Sequence, residues 1–389
     1  MLAFTAGRLL GPTDVIEHPL LLIERGRIVE ISRRIGREIA SGISVCDFGD
    51  HIIAPGYVDL HIHGSAGHDV MDDSVAGLRT MERFLAQHGV TGYFATTVTA
   101  SIDITLRALE RLAASIAQRE QDHADSKGRA RQLGIHLEGP FISHTRRGVH
   151  PTENLLSPTL KLFEQFWQAS SGRIRMMTIA PELDGAIEVI TEAARRGVCV
   201  SVGHSDADFE TTERAITAGA SHATHTFNAM RALDHRHPGI LGAVLTDRRV
   251  TADIIADGVH LDPAIVKLVA SSKGPQQTVL ITDAISATGM PDGHYHLGPL
   301  EVDVRDGACT KDGKLAGSVL TMDRAVRNLA IFAEWDLAHA VNAASQNAAR
   351  AAQIAKKGVL EVGADADFLV LNAQGEVLRT FIGGEECSG

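Results

Sequence analysis

From Pro55 onward, the sequence alternates short apolar runs with amphipathic helical segments such as Val75 to Gln87 and Ile102 to Gln118. Eight strands that alternate with helices are the count for a closed (β/α)₈ barrel of the TIM type, so the sequence predicts an α/β protein. The eight β-rich runs are Tyr57 to His63, Gly92 to Val98, Leu133 to Glu138, Ile174 to Ala180, Val198 to His204, Ala220 to Phe227, Thr251 to Ala256 and Thr278 to Asp283.

Both ends of the chain are rich in predicted strands instead. Near the N-terminus, Leu20 to Ile23 and Ile28 to Ile31 flank a tight turn, and the tail contains two further strand patterns from 367 to 371 and from 377 to 382. A hairpin-like stretch from 293 to 317 and two helical segments precede that tail. We therefore predict one small β-sandwich domain built from residues 1–54 and 356–389, flanking a barrel of residues 55–355.

Composition excludes several classes of protein. The chain has 389 residues and 44% hydrophobic content, without a long uncharged apolar run or a signal-like start, so we expect a cytoplasmic protein with no membrane partner. A net charge of −11 disfavours binding to nucleic acid. The four cysteines are scattered without paired spacing, which argues against a disulfide framework.

Histidine is unusually frequent, with 19 copies, and two of them close the first β-rich run at His61 and His63. The period of two along a strand places both imidazoles on one side, where they could share a metal. The pair alone is weak evidence, since two buried histidines bonded to the backbone would give the same pattern. The third run ends at Glu138, where a buried charge needs either a metal or an arginine partner.

Further polar side chains close other runs of the predicted barrel. The fifth run ends at His204, the sixth contains His222 and His225, and the eighth ends at Asp283. Because the carboxyl ends of barrel strands converge on one face, we expect these side chains to form one metal site. Asp283 is the candidate general base beside it. His222 lies at odd spacing from His225, so we predict that His222 is not a ligand and either has a structural role or supports the ligands from behind.

The ligand types narrow the choice of metal without settling it. Imidazole nitrogen and carboxylate oxygen in the absence of thiolate suit Zn²⁺, Fe²⁺, Mn²⁺ or Co²⁺, and Zn²⁺ is our expectation.

Six motifs occur in order along the barrel. They are Pro55-Gly56-Tyr57-Val58-Asp59 with His61 and His63, His136-Leu137-Glu138-Gly139-Pro140-Phe141, Gly203-His204-Ser205, His225-Thr226-Phe227-Asn228-Ala229-Met230, Asp257-Gly258-Val259-His260, and Thr282-Asp283-Ala284. Together they resemble the N-acetylglucosamine-6-phosphate deacetylases of the amidohydrolase superfamily, and the resemblance continues to the tail segment from 363 to 368.

This resemblance implies roles for individual residues. It makes Glu138, His204 and His225 the principal metal ligands and Asp283 the catalytic acid and base. Family members differ at the first-strand pair, and the two histidines here imply a second metal bridged by Glu138, so that one or two divalent ions bind per subunit. The bridging lysine that many superfamily members carry after strand four has no counterpart between 176 and 182.

The resemblance also implies how a substrate binds. His150 matches a contact near the acetamide, Asn228 and Ala229 match a phosphate-binding turn, and Arg236 and His260 match further substrate contacts. Some family members contribute such contacts across a dimer interface, so we expect a homodimer. Independently, the stretch from 228 to 237 is a basic patch in an acidic protein, which favours phosphate.

The expected reaction is hydrolysis of N-acetyl-D-glucosamine 6-phosphate to D-glucosamine 6-phosphate and acetate, in amino-sugar catabolism or cell-wall recycling. The galacto epimer of that substrate differs in one hydroxyl and remains an alternative, as does an amidohydrolase that acts on a cyclic amide or a dipeptide. A metal-binding or sugar-phosphate-binding protein without catalysis is a third possibility, although pure binding does not require Asp283.

Overall fold

The computed structural model describes residues 1–34, 43–121 and 128–387. Seven described strands precede the barrel. They are β1 (Leu2–Thr5), β2 (Arg8–Leu10), β3 (Val15–Glu17), β4 (Pro19–Glu24), β5 (Arg27–Arg33), β6 (Ser44–Asp47) and β7 (Ile52–Pro55).

The barrel strands alternate with helices from Tyr57 to Lys273 and end with one further strand. In chain order the elements are β8 (Tyr57–Ile62), β9 (Gly64–Ser65), β10 (His68–Asp69), α1 (Val75–Gln87), β11 (Val90–Thr97), α2 (Ile102–Gln121), β12 (Arg131–Glu138), α3 (Leu160–Ala169), β13 (Ile174–Ile179), α4 (Ala186–Arg195), β14 (Cys199–Val202), α5 (Phe209–Ala218), β15 (Ala220–Ala223), α6 (Gly239–Thr246), β16 (Thr251–Ile254), α7 (Pro263–Lys273) and β17 (Thr278–Leu280).

Beyond β17 the chain forms an antiparallel sheet, a helical segment and a strand-rich tail. These elements are β18 (Gly293–Leu297), β19 (Leu300–Arg305), β20 (Ala308–Lys311), β21 (Lys314–Leu315), α8 (Met322–Phe332), α9 (Leu337–Ala344), α10 (Gln346–Ala351), β22 (Phe368–Leu371), β23 (Val377–Ile382) and β24 (Glu385–Glu386).

The eight barrel strands pair in parallel in the order β8, β11, β12, β13, β14, β15, β16 and β17. The ring closes between the end of β8 and the residues that follow β17, where Ile62 and Ala284 form a parallel bridge. The backbone N–H of Asp283 donates to the carbonyl of His61 at 2.9 Å, and the Thr282 hydroxyl donates to Asp59 Oδ2 at 2.6 Å. The predicted (β/α)₈ barrel is therefore confirmed.

The two chain ends build the predicted β-sandwich. One sheet has the order β5-β4-β1-β6, and the other, β24-β23-β22-β7-β2-β3, combines head and tail strands. Phe4 of the first sheet meets Phe368 of the second edge-on at 5.0 Å between ring centroids, and Phe368 stacks on Phe381 at 4.4 Å. The sandwich is confirmed, while the domain boundaries at residues 54 and 355 stay a prediction.

Alternation along β7 and β22 couples the sandwich to the barrel. Ile53 and Phe368 pack in the sandwich core, whereas their neighbours Ile52 and Leu369 pack in the barrel's hydrophobic cluster. Because successive side chains of a strand point to opposite faces, one mixed sheet can bury both of its faces. Strands β7 and β22 therefore pack against both the sandwich core and the barrel core.

Most of the predicted strands were too long at the site end, and three of them included His204, His225 and Asp283 as strand residues. The sequence extended these three to His204, Phe227 and Asp283, but the structure ends them at Val202, Ala223 and Leu280. His204, His225 and Asp283 have φ angles of 47°, 31° and 51°, in the left-handed region that strands do not use. The polar residues therefore follow the strands, and the backbone turns there to aim them inward.

None of the helices in the three described ranges is both long and apolar enough to cross a membrane. The four cysteines, Cys46, Cys199, Cys309 and Cys387, all carry free thiols, and Cys199 and Cys309 are buried.

A buried ion cluster fastens the tail to the start of the barrel. The Lys357 ammonium lies against Asp367 and 2.7 Å from Asp365. Asp367 also accepts a hydrogen bond from Gly383 through its carboxylate at 2.8 Å and one from Gly56 through its carbonyl at 3.1 Å. The two aspartates of the tail motif therefore serve the fold.

We expect Asp367→Asn to lower the free energy of unfolding by about 2–3 kcal/mol at pH 7, because Lys357 stays buried with one carboxylate fewer. Burial alone would raise the pKa of Asp367, but Lys357 and Arg131 outweigh it and lower the pKa below 3.8. The stabilisation is thus present above about pH 4 and is lost as the pH falls through the folded-state pKa. Urea unfolding at pH 7 and below pH 4 measures it.

The exposed Asp184 offers the matched control, since Asp184→Asn should leave the unfolding free energy unchanged at both pH values. A gap between wild type and Asp367→Asn that does not narrow in acid would show that the ion pair is not its source.

Candidate metal centre

Glu138 lies at the centre of a buried cluster of four histidines. Its Oε2 is 3.4 Å from Nε2 of His61 and 3.2 Å from Nε2 of His63. Its Oε1 is 3.3 Å from Nε2 of His204 and 3.2 Å from Nε2 of His225. All five side chains are buried, and the structure brings together every residue that the sequence predicted as a metal ligand. That they bind metal stays a proposal.

The cluster divides into two groups of donors that share Glu138, namely His61 with His63 and His204 with His225. The Nε2 atoms are 3.1 Å apart within the first pair and 3.0 Å apart within the second. Ligand atoms about 2.0–2.1 Å from a tetrahedral Zn²⁺ lie about 3.3 Å from one another. Each group thus has the donor types and spacing for one divalent ion, with Glu138 able to bridge the two.

Hydrogen bonds from Nδ1 orient two of the histidines. His63 Nδ1 lies 2.9 Å from the carbonyl of Thr96, and His204 Nδ1 lies 2.9 Å from the carbonyl of Arg146. A carbonyl accepts only from N–H, so whenever either ring is neutral its proton sits on Nδ1 and Nε2 presents its lone pair. The outer contacts therefore select the tautomer that can ligate a metal.

The side chains of the cluster balance one another's charge. Burial alone would lower the pKa of both His63 and His225. Hydrogen bonds to the carboxylates of Asp283 and Glu138 outweigh burial at His63 and raise its pKa to about 10. At His225 a hydrogen bond to Glu138 and the negative charges of Glu138, Asp283 and Asp253 raise the pKa to about 9. Burial would likewise raise the pKa of Glu138, yet the surrounding imidazoles hold it well below 4.5. A bound divalent ion would supply the positive charge that the protons on His63 and His225 otherwise provide beside the carboxylates.

Asp283 stands at the edge of the first group and faces a cavity. Its Oδ1 lies 3.3 Å from Nε2 of His61 and 3.2 Å from Nε2 of His63. Burial would raise the pKa of Asp283, but the two histidines outweigh it and lower the pKa to about 2. The side chain is therefore an ionised carboxylate beside the cluster and can accept a proton.

The cavity above the cluster has a volume of about 430 Å³ and is large enough for a sugar phosphate. Four of the predicted substrate contacts line it, namely His150, Asn228, Ala229 and His260. Arg236 does not. Its side chain is exposed in the loop before α6 and lies outside the cavity of its own chain.

His150 and His260 are each held by a polar neighbour. His150 is buried with Nδ1 2.7 Å from the Thr99 hydroxyl, and burial lowers its pKa to about 3, so its ring is neutral. His260 is half-buried, and its Nδ1 lies 2.7 Å from Asp257 Oδ2. Both histidines therefore have one nitrogen fixed and the other available to a ligand in the cavity.

Several site residues were missed by sequence reasoning. Arg146 and Lys314 line the cavity, and Thr96 and Thr99 orient histidines. Backbone carbonyls and hydroxyls of this kind leave no sequence signal. Asp253, which accepts a hydrogen bond from the backbone N–H of His225, did leave one, because it is a carboxylate inside an apolar run, just as Glu138 is a carboxylate at the end of one.

His222 does not join the metal cluster, as expected, although the strand-parity argument for this was wrong. β15 ends at Ala223, so His225 lies beyond the strand and its direction does not follow strand alternation. Instead, Nε2 of His222 lies 2.9 Å from the Asp253 carboxylate, and its Nδ1 lies 2.6 Å from the Thr251 hydroxyl.

A comparison with protein families matches residues 52–387 to the amidohydrolase family. The chain belongs to this family. The match covers the whole barrel and the tail strands, and it includes every residue of the cluster. The family is metal-dependent, in agreement with the two donor groups around Glu138.

Relatives within the family confirm the resemblance found in the motifs. An N-acetylglucosamine-6-phosphate deacetylase of Lysinibacillus sphaericus is 38% identical, with 89% of this chain and 87% of the relative covered. An N-acetylgalactosamine-6-phosphate deacetylase of Escherichia coli O157:H7 is 36% identical, with 97% of this chain and 100% of the relative covered. The fold also matches a solved structure of a mutant N-acetyl-D-glucosamine-6-phosphate deacetylase from Mycobacterium smegmatis in complex with N-acetyl-D-glucosamine-6-phosphate. The TM-score is 0.91 at 35% sequence identity, and the match covers 100% of this chain and 99% of that one.

Proposed function

We propose that this protein hydrolyses N-acetyl-D-glucosamine 6-phosphate to D-glucosamine 6-phosphate and acetate. The observation that carries the proposal is the ionised carboxylate of Asp283 beside a Glu138-centred pair of donor groups, at the floor of a cavity with space for a sugar phosphate. Relatives named for this activity, at 35–38% identity over most of the chain, support it.

We propose that one or two divalent ions, with Zn²⁺ as the best candidate, bind to the two donor groups. When bound, such an ion activates a water molecule and polarises the acetyl carbonyl. Asp283 accepts a proton from the attacking water while the oxygen of that water bonds to the carbonyl carbon. Asp283 then delivers that proton to the amine nitrogen as the carbon–nitrogen bond breaks, leaving the amine and acetic acid, which ionises to acetate.

His150 is suited to bind the acetyl oxygen. If the Thr99 hydroxyl donates to Nδ1, the neutral ring carries its proton on Nε2 and donates a hydrogen bond into the cavity. His150 Nε2 lies 3.8 Å from Glu138 Oε2, which places this donor beside the reacting group. Removal of this donor should slow the chemical step because charge develops on that oxygen.

The phosphate is proposed to bind where the turn of Asn228 and Ala229 and the side chain of His260 line the cavity. Ala229 has a φ of 52°, and such a turn can expose backbone N–H groups to an anion. Asp257 fixes Nδ1 of His260 at 2.7 Å, which leaves Nε2 for the ligand.

Acetate release from three N-acetyl sugars, together with the ring opening of dihydrouracil, tests the substrate assignment. We expect kcat/KM for N-acetylglucosamine 6-phosphate to exceed that for free N-acetylglucosamine by about a hundredfold, because the phosphate contacts are charge-assisted. Equal values would contradict the phosphate site. A higher value for N-acetylgalactosamine 6-phosphate would assign the galacto epimer, as the relative from E. coli O157:H7 allows. Opening of dihydrouracil without acetate release would indicate a cyclic-amide hydrolase.

We further propose a homodimer in which Arg236 of the partner subunit completes the phosphate site, since Arg236 is exposed and lies outside its own cavity. Light scattering measures the mass, and mixing two inactive variants tests the contact. A heterodimer of Arg236→Ala and Asp283→Asn has one complete site, so reassorted subunits should recover about a quarter of wild-type activity. A monomer, or no recovery on mixing, would contradict this arrangement.

A cytoplasmic location is proposed from the four free cysteines.

A further inference from the structure

Asp253 in β16 is fully buried and makes two hydrogen bonds to one neighbouring stretch of chain. Its Oδ1 accepts a hydrogen bond from the backbone N–H of His225. Its Oδ2 lies 2.9 Å from Nε2 of His222, whose other nitrogen lies 2.6 Å from the hydroxyl of Thr251. The carboxylate therefore holds the residue that follows β15 and does not line the substrate cavity.

His225 is oriented differently from two other members of the cluster. Its Nδ1 is buried and has no hydrogen-bond partner within the described ranges, whereas Nδ1 of His63 and of His204 each lies against a carbonyl. Its φ of 31° is a conformation that residues with side chains rarely adopt. Something other than the ring must hold His225 in place, and Asp253 is bonded to its backbone.

We infer that Asp253, supported by His222, is a positioning residue for the metal centre. It holds the backbone of His225 in the left-handed conformation that points Nε2 toward His204 and Glu138, at 3.0 Å and 3.2 Å. Without this acceptor, the His225 N–H would be buried without a partner, and the backbone would relax away from that conformation. The inference rests on the proposed metal site and concerns only the donor group that contains His225.

Metal affinity tests the inference without an activity assay. Wild type, Asp253→Ala and Asp253→Asn are loaded with Co²⁺, and the affinity is measured by competition with a chelator and by the visible absorption of the bound ion. We expect Asp253→Ala to bind at the Glu138–His204–His225 group about tenfold more weakly or worse. Binding at the His61–His63 group should change less.

The conservative variant separates positioning from charge. The amide oxygen of Asp253→Asn still accepts from the His225 N–H, and its NH₂ can donate to His222, so affinity and spectrum should stay close to wild type. Asp323→Ala is the control, because Asp323 pairs with His88 at 3.0 Å and contacts none of the cluster. If Asp253→Ala does not fold, Asp253→Ser carries the same expectation, since its hydroxyl is too short to reach the amide.

Wild-type affinity in the Ala or Ser variant would overturn the inference, and so would an equal loss in Asp253→Asn or in the Asp323→Ala control. A wild-type protein that binds no Co²⁺ would instead overturn the proposed metal site, so the two failures are distinguishable.

Discussion

The Asp283→Asn variant should release acetate from N-acetylglucosamine 6-phosphate about a thousandfold more slowly than wild type, or worse. The amide can neither take the proton of the attacking water nor return it to the leaving amine, and both steps are assigned to this one side chain. Its shape and its place beside His61 and His63 are preserved, so metal content and substrate affinity should change little. Acetate release and elemental analysis of the same preparation measure both quantities.

Asp323→Asn is the matched control for this variant, because it neutralises another carboxylate that is paired with a histidine but lies outside the cavity. We expect wild-type turnover from it. Turnover of Asp283→Asn within tenfold of wild type would remove Asp283 from proton transfer. A loss of metal together with activity would make Asp283 a ligand and leave the acid and base unassigned.

The second large effect is expected at Glu138, the carboxylate that both donor groups share. Glu138→Ala should weaken metal binding by about a hundredfold or more and abolish turnover, since replacement of residues that merely support ligands already costs tenfold to a hundredfold. Each group would be left with two imidazoles and no anionic ligand. Elemental analysis after dialysis against a weak chelator measures the metal retained per subunit.

His63→Asn separates the two groups and is the informative comparison for Glu138→Ala. It removes a donor from the His61–His63 group alone, so one metal per subunit should remain with His204 and His225. Full metal retention in Glu138→Ala would contradict a bridging carboxylate. An unchanged metal count in His63→Asn would show that the first group is not occupied in wild type.

Much of this architecture follows from local sequence patterns. The eight β-rich runs and the helices between them predicted the barrel, because apolar periodicity reports which faces a strand or helix must bury. The metal cluster was predictable for a related reason. Once the barrel is assumed, residues that close its strands converge on one face, so Glu138 and the four histidines had to meet although they lie up to 164 positions apart.

The tertiary structure alone decided what orients those ligands and where each strand ends. The left-handed turns at His204, His225 and Asp283 depend on partners from other strands, such as Asp253 beneath His225, and no local propensity records them. The carbonyls of Thr96 and Arg146 carry no side-chain identity, so their contacts with His63 and His204 have no sequence signature. The position of Arg236 outside its own cavity was equally hidden, because the sequence identifies a residue's chemistry and only the folded chain fixes the direction of its side chain.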